Sequence, residues 1–154
     1  MLRVKDPRIS IDFYSRVVGM RLIRHLSFPE MKFCLYFLAF FDGADELPED
    51  DEDRTEWLFG RPGILELTHN WGTEEQAEFN YHNGNQEPQG FGHICISVAD
   101  LAAAEQRFDA LGVPFVKRSF EGRIKNVAFV RDPDGYWIEV VQPGLLRSLG
   151  CQRP

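Results

Sequence analysis

An internal repeat is the feature that most constrains what this chain can fold into. The first copy begins at Asp6 and ends at Gly19, and the second begins at Asp100 and ends at Gly112. Between these ends, apolar residues recur at helical spacing. An aspartate suits the N-cap of a helix, and a glycine suits the left-handed position that follows its end. The repeat therefore predicts one helix of similar length in each half.

Strand-like runs follow each predicted helix. They cover residues 20–24, 33–41 and 63–68 in the first half, and 113–117, 126–131 and 136–141 in the second. A further strand, 92–98, opens the second half, and Asp132-Pro-Asp-Gly135 predicts a tight turn between its last two strands. The pattern predicts an α+β fold of paired βαβββ modules. Module one covers 1–70 with an acidic loop at 42–53, a connector covers 71–90, module two covers 91–142, and 143–154 form a tail.

Composition excludes several classes of function. A net charge of −7 over 154 residues argues against a nucleic-acid partner, because neutralising phosphates needs a basic face. No apolar run reaches membrane-spanning length, and charged residues interrupt the first twenty positions, which argues against a signal peptide. Cys34, Cys95 and Cys151 are scattered and match no zinc-finger spacing. We therefore expect reduced thiols in a cytoplasmic protein.

Two glutamates occupy equivalent places in the repeat. Glu66 lies in Ile64-Leu-Glu-Leu67 and Glu139 in Trp137-Ile-Glu-Val140, each in the last strand of its module. Strand alternation allows two interpretations: exposed carboxylates on a half-solvated sheet, or a pair facing each other across a pseudo-twofold axis. His93, in the opening strand of module two, favours the second. One imidazole and two carboxylates suit Zn, Ni, Co or Mn in an open, catalytic site.

The register of the repeat also predicts a missing element. His93 lies seven residues before Asp100, and seven residues before Asp6 falls upstream of Met1. We therefore expect that the partner of His93 in module one, with most of the opening strand, lies outside this chain.

Several stretches resemble eukaryotic-type glyoxalase I, a family of the vicinal-oxygen-chelate superfamily. The resemblance covers residues 1 to about 143. It is carried by Leu65-Glu-Leu-Thr-His-Asn-Trp-Gly72, Gly90-Phe-Gly-His93, Asp132-Pro-Asp-Gly-Tyr-Trp-Ile-Glu139 and the runs 1–7, 31–39 and 81–85.

The resemblance implies a lactoylglutathione lyase, which isomerises the hemithioacetal of methylglyoxal and glutathione to S-lactoylglutathione. It implies that Glu66, His93 and Glu139 are three of four metal ligands, with a glutamine at the missing upstream position as the fourth. The metal would be Zn, or Ni as in many bacterial members. Family members form homodimers in which Glu66 of one subunit faces His93 and Glu139 of the other. Glu139 would be the base, and Glu66 a ligand and proton partner on the opposite face.

The resemblance also implies residues that bind glutathione. Arg3 and Asn70 match residues that hold the γ-glutamyl carboxylate, and Lys117 and Arg123 fall in the segment that receives the glycyl end. An apolar pocket around the thioether would be lined by Phe28, Leu35 and Phe37. Gln89 departs from the pattern, since the family usually has an arginine there, and a neutral amide cannot replace a bidentate arginine–carboxylate pair. The other histidines, His25, His69 and His82, are expected to support the site or lie in loops.

Two other functions remain open at this stage. One is a truncated, catalytically impaired relative that binds metal or glutathione conjugates weakly. The other is an extradiol dioxygenase, although its iron site usually has two histidines and one glutamate, whereas this chain offers one histidine and two glutamates.

Overall fold

The computed structural model describes residues 1–41 and 47–147. The chain divides into two compact units, Met1–Tyr81 and His82–Pro154, which we describe separately. Within the described ranges, no helix is long and apolar enough to cross a membrane.

The first unit contains one four-stranded mixed sheet. Its strands are β1 (Leu2–Arg3), β2 (Arg21–Phe28), β3 (Phe33–Ala39) and β4 (Leu65–Asn70), and their order across the sheet is β1-β4-β3-β2. The first strand pairs with β4 in parallel, and the other pairs are antiparallel. One face carries Leu38, Leu65 and Leu67, which are fully or almost fully buried.

Helix α1 (Pro7–Asp12) continues into a π-helical segment, Phe13–Val18. The carboxylate of Asp6 accepts a hydrogen bond from the backbone N–H of Arg8 at 2.9 Å, which caps the helix as predicted. Gly19 ends the segment with φ +91°, a conformation that glycine adopts without steric cost. The helical stretch packs against β4 and buries one apolar side.

Helix α2 (Asp51–Phe59) corrects the end of the acidic loop predicted at 42–53, because residues 51–53 form its first turn. Residues 42–46 lie outside the described part of the chain, but the helix begins at Asp51. The side chain of Asp50 accepts hydrogen bonds from the backbone N–H groups of Glu52 and Asp53, at 2.7 and 3.1 Å. Acidic side chains in a first turn are favourable near the positive end of the helix dipole. The acidic run therefore starts a helix rather than a solvated loop.

The second unit repeats this architecture. Strands β5 (His93–Ser97), β6 (Phe115–Lys117), β7 (Val127–Arg131) and β8 (Trp137–Val141) have the order β5-β8-β7-β6, with helix α3 (Leu101–Ala110) after the first strand. Again the first strand pairs with the last in parallel. The predicted α+β fold of paired βαβββ modules is confirmed, with strand ends that differ from the prediction by a few residues, most at β2, which extends to Phe28.

The core of the second unit lies on one face of its sheet. Ala128, Val130, Ile138 and Val140 are almost fully inaccessible to solvent. The predicted turn at Asp132 joins β7 to β8: its carboxylate accepts hydrogen bonds from the backbone N–H groups of Asp134 and Tyr136, at 3.0 and 2.8 Å. This turn fixes the register of β8, and with it the face on which Glu139 lies.

Candidate active site

His93 and Glu139 lie on the solvent-facing side of the second sheet. Glu139 alternates with Ile138 and Val140, which are buried, so its side chain points away from the core. In the parallel pairing of β5 and β8, His93 lies opposite Trp137. Glu139 is two residues after Trp137 on β8, so His93 and Glu139 lie on the same face of the sheet. The Nε2 of His93 is 3.4 Å from the Oε2 of Glu139, and the two side chains are 41% and 24% exposed.

An aromatic ring borders this pair. Phe129 on β7 lies opposite Glu139, and its ring contacts the imidazole of His93 edge-on, with centroids 5.1 Å apart. Phe129 also contacts Trp137. Phe129 therefore restricts the orientation of the His93 ring, which remains exposed to solvent on its other side.

Cys95 belongs to the same face, and the sequence analysis treated it only as a free thiol. It is the direct Cα partner of Glu139 in the β5–β8 pairing. Partial burial and the neighbouring Glu139 carboxylate raise the pKa of the Cys95 thiol to about 11, and its Sγ lies 4.0 Å from the backbone oxygen of Ile96. Its position two residues after His93 on a predicted strand was the signal that could have placed it here.

Glu66 occupies the corresponding place in the first unit. It lies on β4 between Leu65 and Leu67, both buried, so its side chain is on the opposite face of the sheet. The hydroxyl of Thr68 donates a hydrogen bond to its Oε1 at 3.4 Å. Phe37 on β3 is its Cα partner.

The register brings the glutathione-binding candidates of module one to the face that carries Glu66. Cα pairing across the sheet aligns five of them with Glu66, Thr68 or Asn70 of β4: Arg3, Phe28, Leu35, Phe37 and Asn70 itself. Arg3 is exposed, and the amide nitrogen of Asn70 donates to the hydroxyl of Tyr81 at 3.0 Å. The sequence alone could not give this alignment, because it depends on pairing between strands.

The three apolar candidates differ in exposure. Phe28 stacks on Phe33 with ring centroids 4.7 Å apart and stays partly exposed. Phe37 is almost fully buried, in a cluster with Ile23, Ala39 and Leu58 of α2, and Leu35 packs against that cluster. Helix α2 therefore covers one end of the Glu66 face.

Lys117 lies on the His93–Glu139 face of the second unit, since it pairs with Phe129, which in turn pairs with Glu139. Its ammonium donates hydrogen bonds to the backbone carbonyls of Val127 and Arg118, at 2.6 and 3.1 Å. Burial lowers the pKa of Lys117, and the nearby charge of Lys125 acts in the same direction. Arg123 is exposed in the segment between β6 and β7.

The remaining histidines lie away from these faces. His69 is three residues after Glu66 on β4, so it lies on the opposite face of the sheet. Its Nε2 is 2.7 Å from the Oε2 of Glu74. His25 stacks on Tyr36 with centroids 4.6 Å apart, and the Nε2 of His82 lies 2.9 Å from the carbonyl oxygen of Pro88. None of the three lies beside Glu66, His93 or Glu139 within its own unit.

A cleft of about 750 Å³ lies on the His69 side of the first sheet. Its lining includes Cys34, Tyr36, His69 and Glu74, all of which belong to the face opposite Glu66 or the segment that follows it. This cleft therefore lies on the opposite side of the sheet from Glu66 and the predicted glutathione-binding residues.

A divalent metal fits the spacing of His93 and Glu139. Two ligand atoms at about 2.0–2.1 Å from a tetrahedral zinc ion lie roughly 3.4 Å from each other, and the two side-chain atoms are 3.4 Å apart. Among the described residues, no three histidine, cysteine or acidic side chains are grouped closely enough to bind a metal. In the described part of the second unit, His93 and Glu139 are the two side chains whose spacing suits a metal.

Comparisons with known proteins show sequences similar to this chain. The family model described as Glyoxalase/Bleomycin resistance protein/Dioxygenase superfamily matches residues 1–140. The lactoylglutathione lyase of Pseudomonas putida is 57% identical over 93% of this chain and 82% of its own length, and that of Pseudomonas aeruginosa is 59% identical over 97% and 84%.

Solved structures have a similar fold. The chain is similar to the trypanothione-dependent glyoxalase I of Leishmania major, with 31% identity, a TM-score of 0.68, and coverage of 95% of this chain and 86% of that one. Glyoxalase I of Zea mays gives 26% identity and a TM-score of 0.67 over 92% of this chain and 42% of that one.

Proposed function

Because this chain belongs to the Glyoxalase/Bleomycin resistance protein/Dioxygenase superfamily, we propose that it is a lactoylglutathione lyase. Its substrate is the hemithioacetal of methylglyoxal and glutathione, and its product is S-lactoylglutathione. The observation that carries the proposal is the 3.4 Å spacing of His93 and Glu139 on one solvent-facing sheet, in a chain closely related to two Pseudomonas lyases.

His93, Glu139 and Glu66 are the proposed ligands of a divalent metal, Zn or alternatively Ni. Imidazole nitrogen and carboxylate oxygen suit both ions. When bound, the metal acts as a Lewis acid toward the negative charge that develops on the substrate oxygens.

Glu139 is the proposed general base. Its carboxylate accepts the proton from the thioacetal carbon of the substrate and delivers a proton to the neighbouring carbon. The hydroxyl proton of the hemithioacetal passes to the ketone oxygen, so the former aldehyde carbon becomes the thioester carbonyl and the former ketone becomes a hydroxyl. Base and acid roles in turn suit one carboxylate, because no net proton is consumed. Glu66 is the proposed partner in proton transfer on the opposite side of the substrate.

The glutathione part of the substrate is bound by residues of both units in this proposal. Arg3 and Asn70 bind the γ-glutamyl carboxylate, and Phe28, Leu35 and Phe37 contact the apolar region around the sulfur. Support comes from their common face with Glu66. Lys117 and Arg123 bind the glycyl carboxylate. Lys117 uses its ammonium for two backbone carbonyls, which leaves one N–H for an anion.

We further propose that the protein is a cytoplasmic homodimer in which each site takes Glu66 from one subunit and His93 and Glu139 from the other. In support, Glu66 lies in the first unit, whereas His93 and Glu139 lie together in the second. The free thiols of Cys34 and Cys95 suit a reducing compartment.

The proposal is tested by following the thioester absorbance of S-lactoylglutathione. Metal-stripped protein is compared with Zn-loaded and Ni-loaded protein, and the variants are Glu139→Gln and, as a matched control, Glu56→Gln on the exposed side of α2. We expect activity that requires metal, is abolished by Glu139→Gln and is unaffected by Glu56→Gln. Folded protein that turns over no substrate with any metal would overturn the proposal and favour an impaired relative that binds metal or glutathione conjugates.

A further inference from the structure

Tyr81 contacts Asn70, one of the two residues proposed to bind the γ-glutamyl carboxylate. The side-chain amide nitrogen of Asn70 donates a hydrogen bond to the phenolic oxygen of Tyr81 at 3.0 Å, and both residues are partly buried. The ring of Tyr81 also packs edge-on against Phe79, with centroids 4.8 Å apart. The position of the hydroxyl that meets Asn70 is therefore set by packing of the ring as well as by the chain.

The backbone of Asn70 is held by other contacts. The hydroxyl of Thr73 is buried and lies 3.0 Å from the carbonyl oxygen of Asn70. The next residue, Trp71, donates its backbone N–H to the carbonyl oxygen of Lys32 at 2.9 Å. Because these contacts hold the end of β4 in place, the hydroxyl of Tyr81 acts on the side-chain amide of Asn70 rather than on its backbone.

The hydrogen bond leaves part of the Asn70 amide available to a ligand. An asparagine amide has two N–H donors and an oxygen that accepts, and one donor is directed at Tyr81. The second donor and the oxygen suit the γ-glutamyl end of glutathione, which carries both a carboxylate and an ammonium. Rotation about the last side-chain torsion of asparagine is broad. The contact with Tyr81 therefore selects the directions in which the available donor and acceptor point.

Arg3 supplies positive charge on the same face as this amide. It lies opposite Thr68, two residues before Asn70 on β4, so the side chains of Arg3 and Asn70 leave the same face of the sheet. Arg3 is exposed, and no carboxylate in the described part of the chain forms an ion pair with it. A guanidinium has donors but no acceptor, so it can bind a carboxylate and cannot bind an ammonium. The oxygen of Asn70 provides the acceptor that a zwitterionic group also needs.

We propose that Tyr81 is a positioning residue for substrate recognition: its hydroxyl orients the Asn70 amide toward the zwitterionic end of the γ-glutamyl group. Tyr81 therefore contributes to affinity for γ-glutamyl thiols and leaves proton transfer unchanged, since Glu139 carries out that step in the proposed mechanism. The inference rests on the proposed function, because it needs Asn70 to contact glutathione.

A single substitution isolates the hydroxyl. Tyr81→Phe removes it and keeps the ring. Tyr36→Phe is the matched control, because Tyr36 lies on β3 opposite Leu67 and therefore on the other face of the same sheet. Asn70→Ala and the double variant Tyr81→Phe/Asn70→Ala complete a double-mutant cycle. Circular dichroism checks that each variant is folded.

The first measurement is affinity for S-hexylglutathione, by isothermal titration calorimetry, and it needs no turnover. Loss of one hydrogen bond weakens binding by about three- to tenfold. We expect that loss for Tyr81→Phe, wild-type affinity for Tyr36→Phe, and no further loss when Tyr81→Phe is added to Asn70→Ala. S-hexyl-cysteinylglycine lacks the γ-glutamyl group, so the wild type and Tyr81→Phe should bind it equally. With substrate, Tyr81→Phe should raise KM by the same factor with little change in kcat.

Three outcomes would overturn the inference: unchanged affinity in Tyr81→Phe, equal losses for the two ligands, or additive losses in the double variant. Equal losses would show a general structural role, since a residue that only supports the fold weakens both ligands alike. The wild type tests the proposed function in parallel. If the folded wild type neither binds S-hexylglutathione nor forms S-lactoylglutathione, the proposed function fails and the inference with it. Failure of Tyr81 alone leaves both wild-type measurements intact.

Discussion

Replacement of Glu105 by alanine should loosen the segment between β6 and β7. Glu105 is a buried carboxylate on α3, and it accepts hydrogen bonds from the backbone N–H of Ser119 at 2.9 Å and from its hydroxyl at 2.7 Å. Ser119 lies two residues after Lys117, the last residue of β6. The Glu105 carboxylate therefore connects α3 to the start of the segment between β6 and β7.

The expected loss can be estimated from these contacts. A hydrogen bond to a charged group contributes about 1.5–3 kcal/mol, and Ser119 is partly exposed, so water replaces part of it. We expect Glu105→Ala to lower the free energy of unfolding by about 3 kcal/mol. Glu105→Gln should cost only about 1 kcal/mol, because its amide can accept from the N–H of Ser119 and donate to its hydroxyl.

Thermal unfolding measures this difference. For a chain of this length, a loss of about 3 kcal/mol lowers the Tm by roughly 6–12 °C. If Lys117 and Arg123 bind the glycyl end, Glu105→Ala should also raise KM with little change in kcat. Ser119→Ala should reproduce part of the loss and add little to Glu105→Ala in a double-mutant cycle. The reasoning would be refuted by a Gln variant as unstable as the Ala variant, or by strictly additive losses.

Two further predictions concern stability. Gly84→Ala should destabilise the second unit by more than about 3 kcal/mol, because Gly84 has φ +82° and an added Cβ would overlap the carbonyl oxygen of Phe91. Gly63→Ala, at φ +74° in open space, should cost only about 1–2 kcal/mol. Equal urea midpoints for the two variants would contradict this. Glu74 has a pKa lowered from its ordinary value of 4.5 by a hydrogen bond from its own backbone N–H and by His69. A lowered carboxyl pKa stabilises the fold above that value, and the contribution disappears as the pH falls through the folded-state pKa. The stability advantage of the wild type over Glu74→Gln should therefore shrink below pH 4.5, and an advantage that grows on acidification would argue against the assignment.

Much of the fold could be predicted because local signals repeat. Capping residues such as Asp6 and Asp100 mark both helices, and the structure shows each side chain accepting from its own helix. The turn at Asp132 and the strands around Glu66 and Glu139 could likewise be predicted from residues that are neighbours in the sequence. The family resemblance that these residues carried is confirmed by the match over residues 1–140.

The features that could not be predicted from the sequence depend on contacts between distant segments. The first turn of α2 was assigned to a loop because its acidic residues resemble a solvated run, and the helix gains stability from burial of Leu58 against β2 and β3. Cys95 gave no motif of its own, and its place opposite Glu139 appears only from the register of β5 and β8. The roles of the substrate-binding candidates, such as Arg3 and Lys117, remain predictions.

The strand order has a consequence for how the protein is made. In each unit the first strand pairs with the last one, so the sheet cannot be completed until the whole module has left the ribosome. The first unit can close once β4 has been synthesised, while His93 must wait for β8 before Glu139 lies beside it. Pairing of distant segments slows folding. During synthesis the candidate site is therefore among the last features to form, and until then β5 exposes an unpaired edge that a chaperone or another nascent chain can bind.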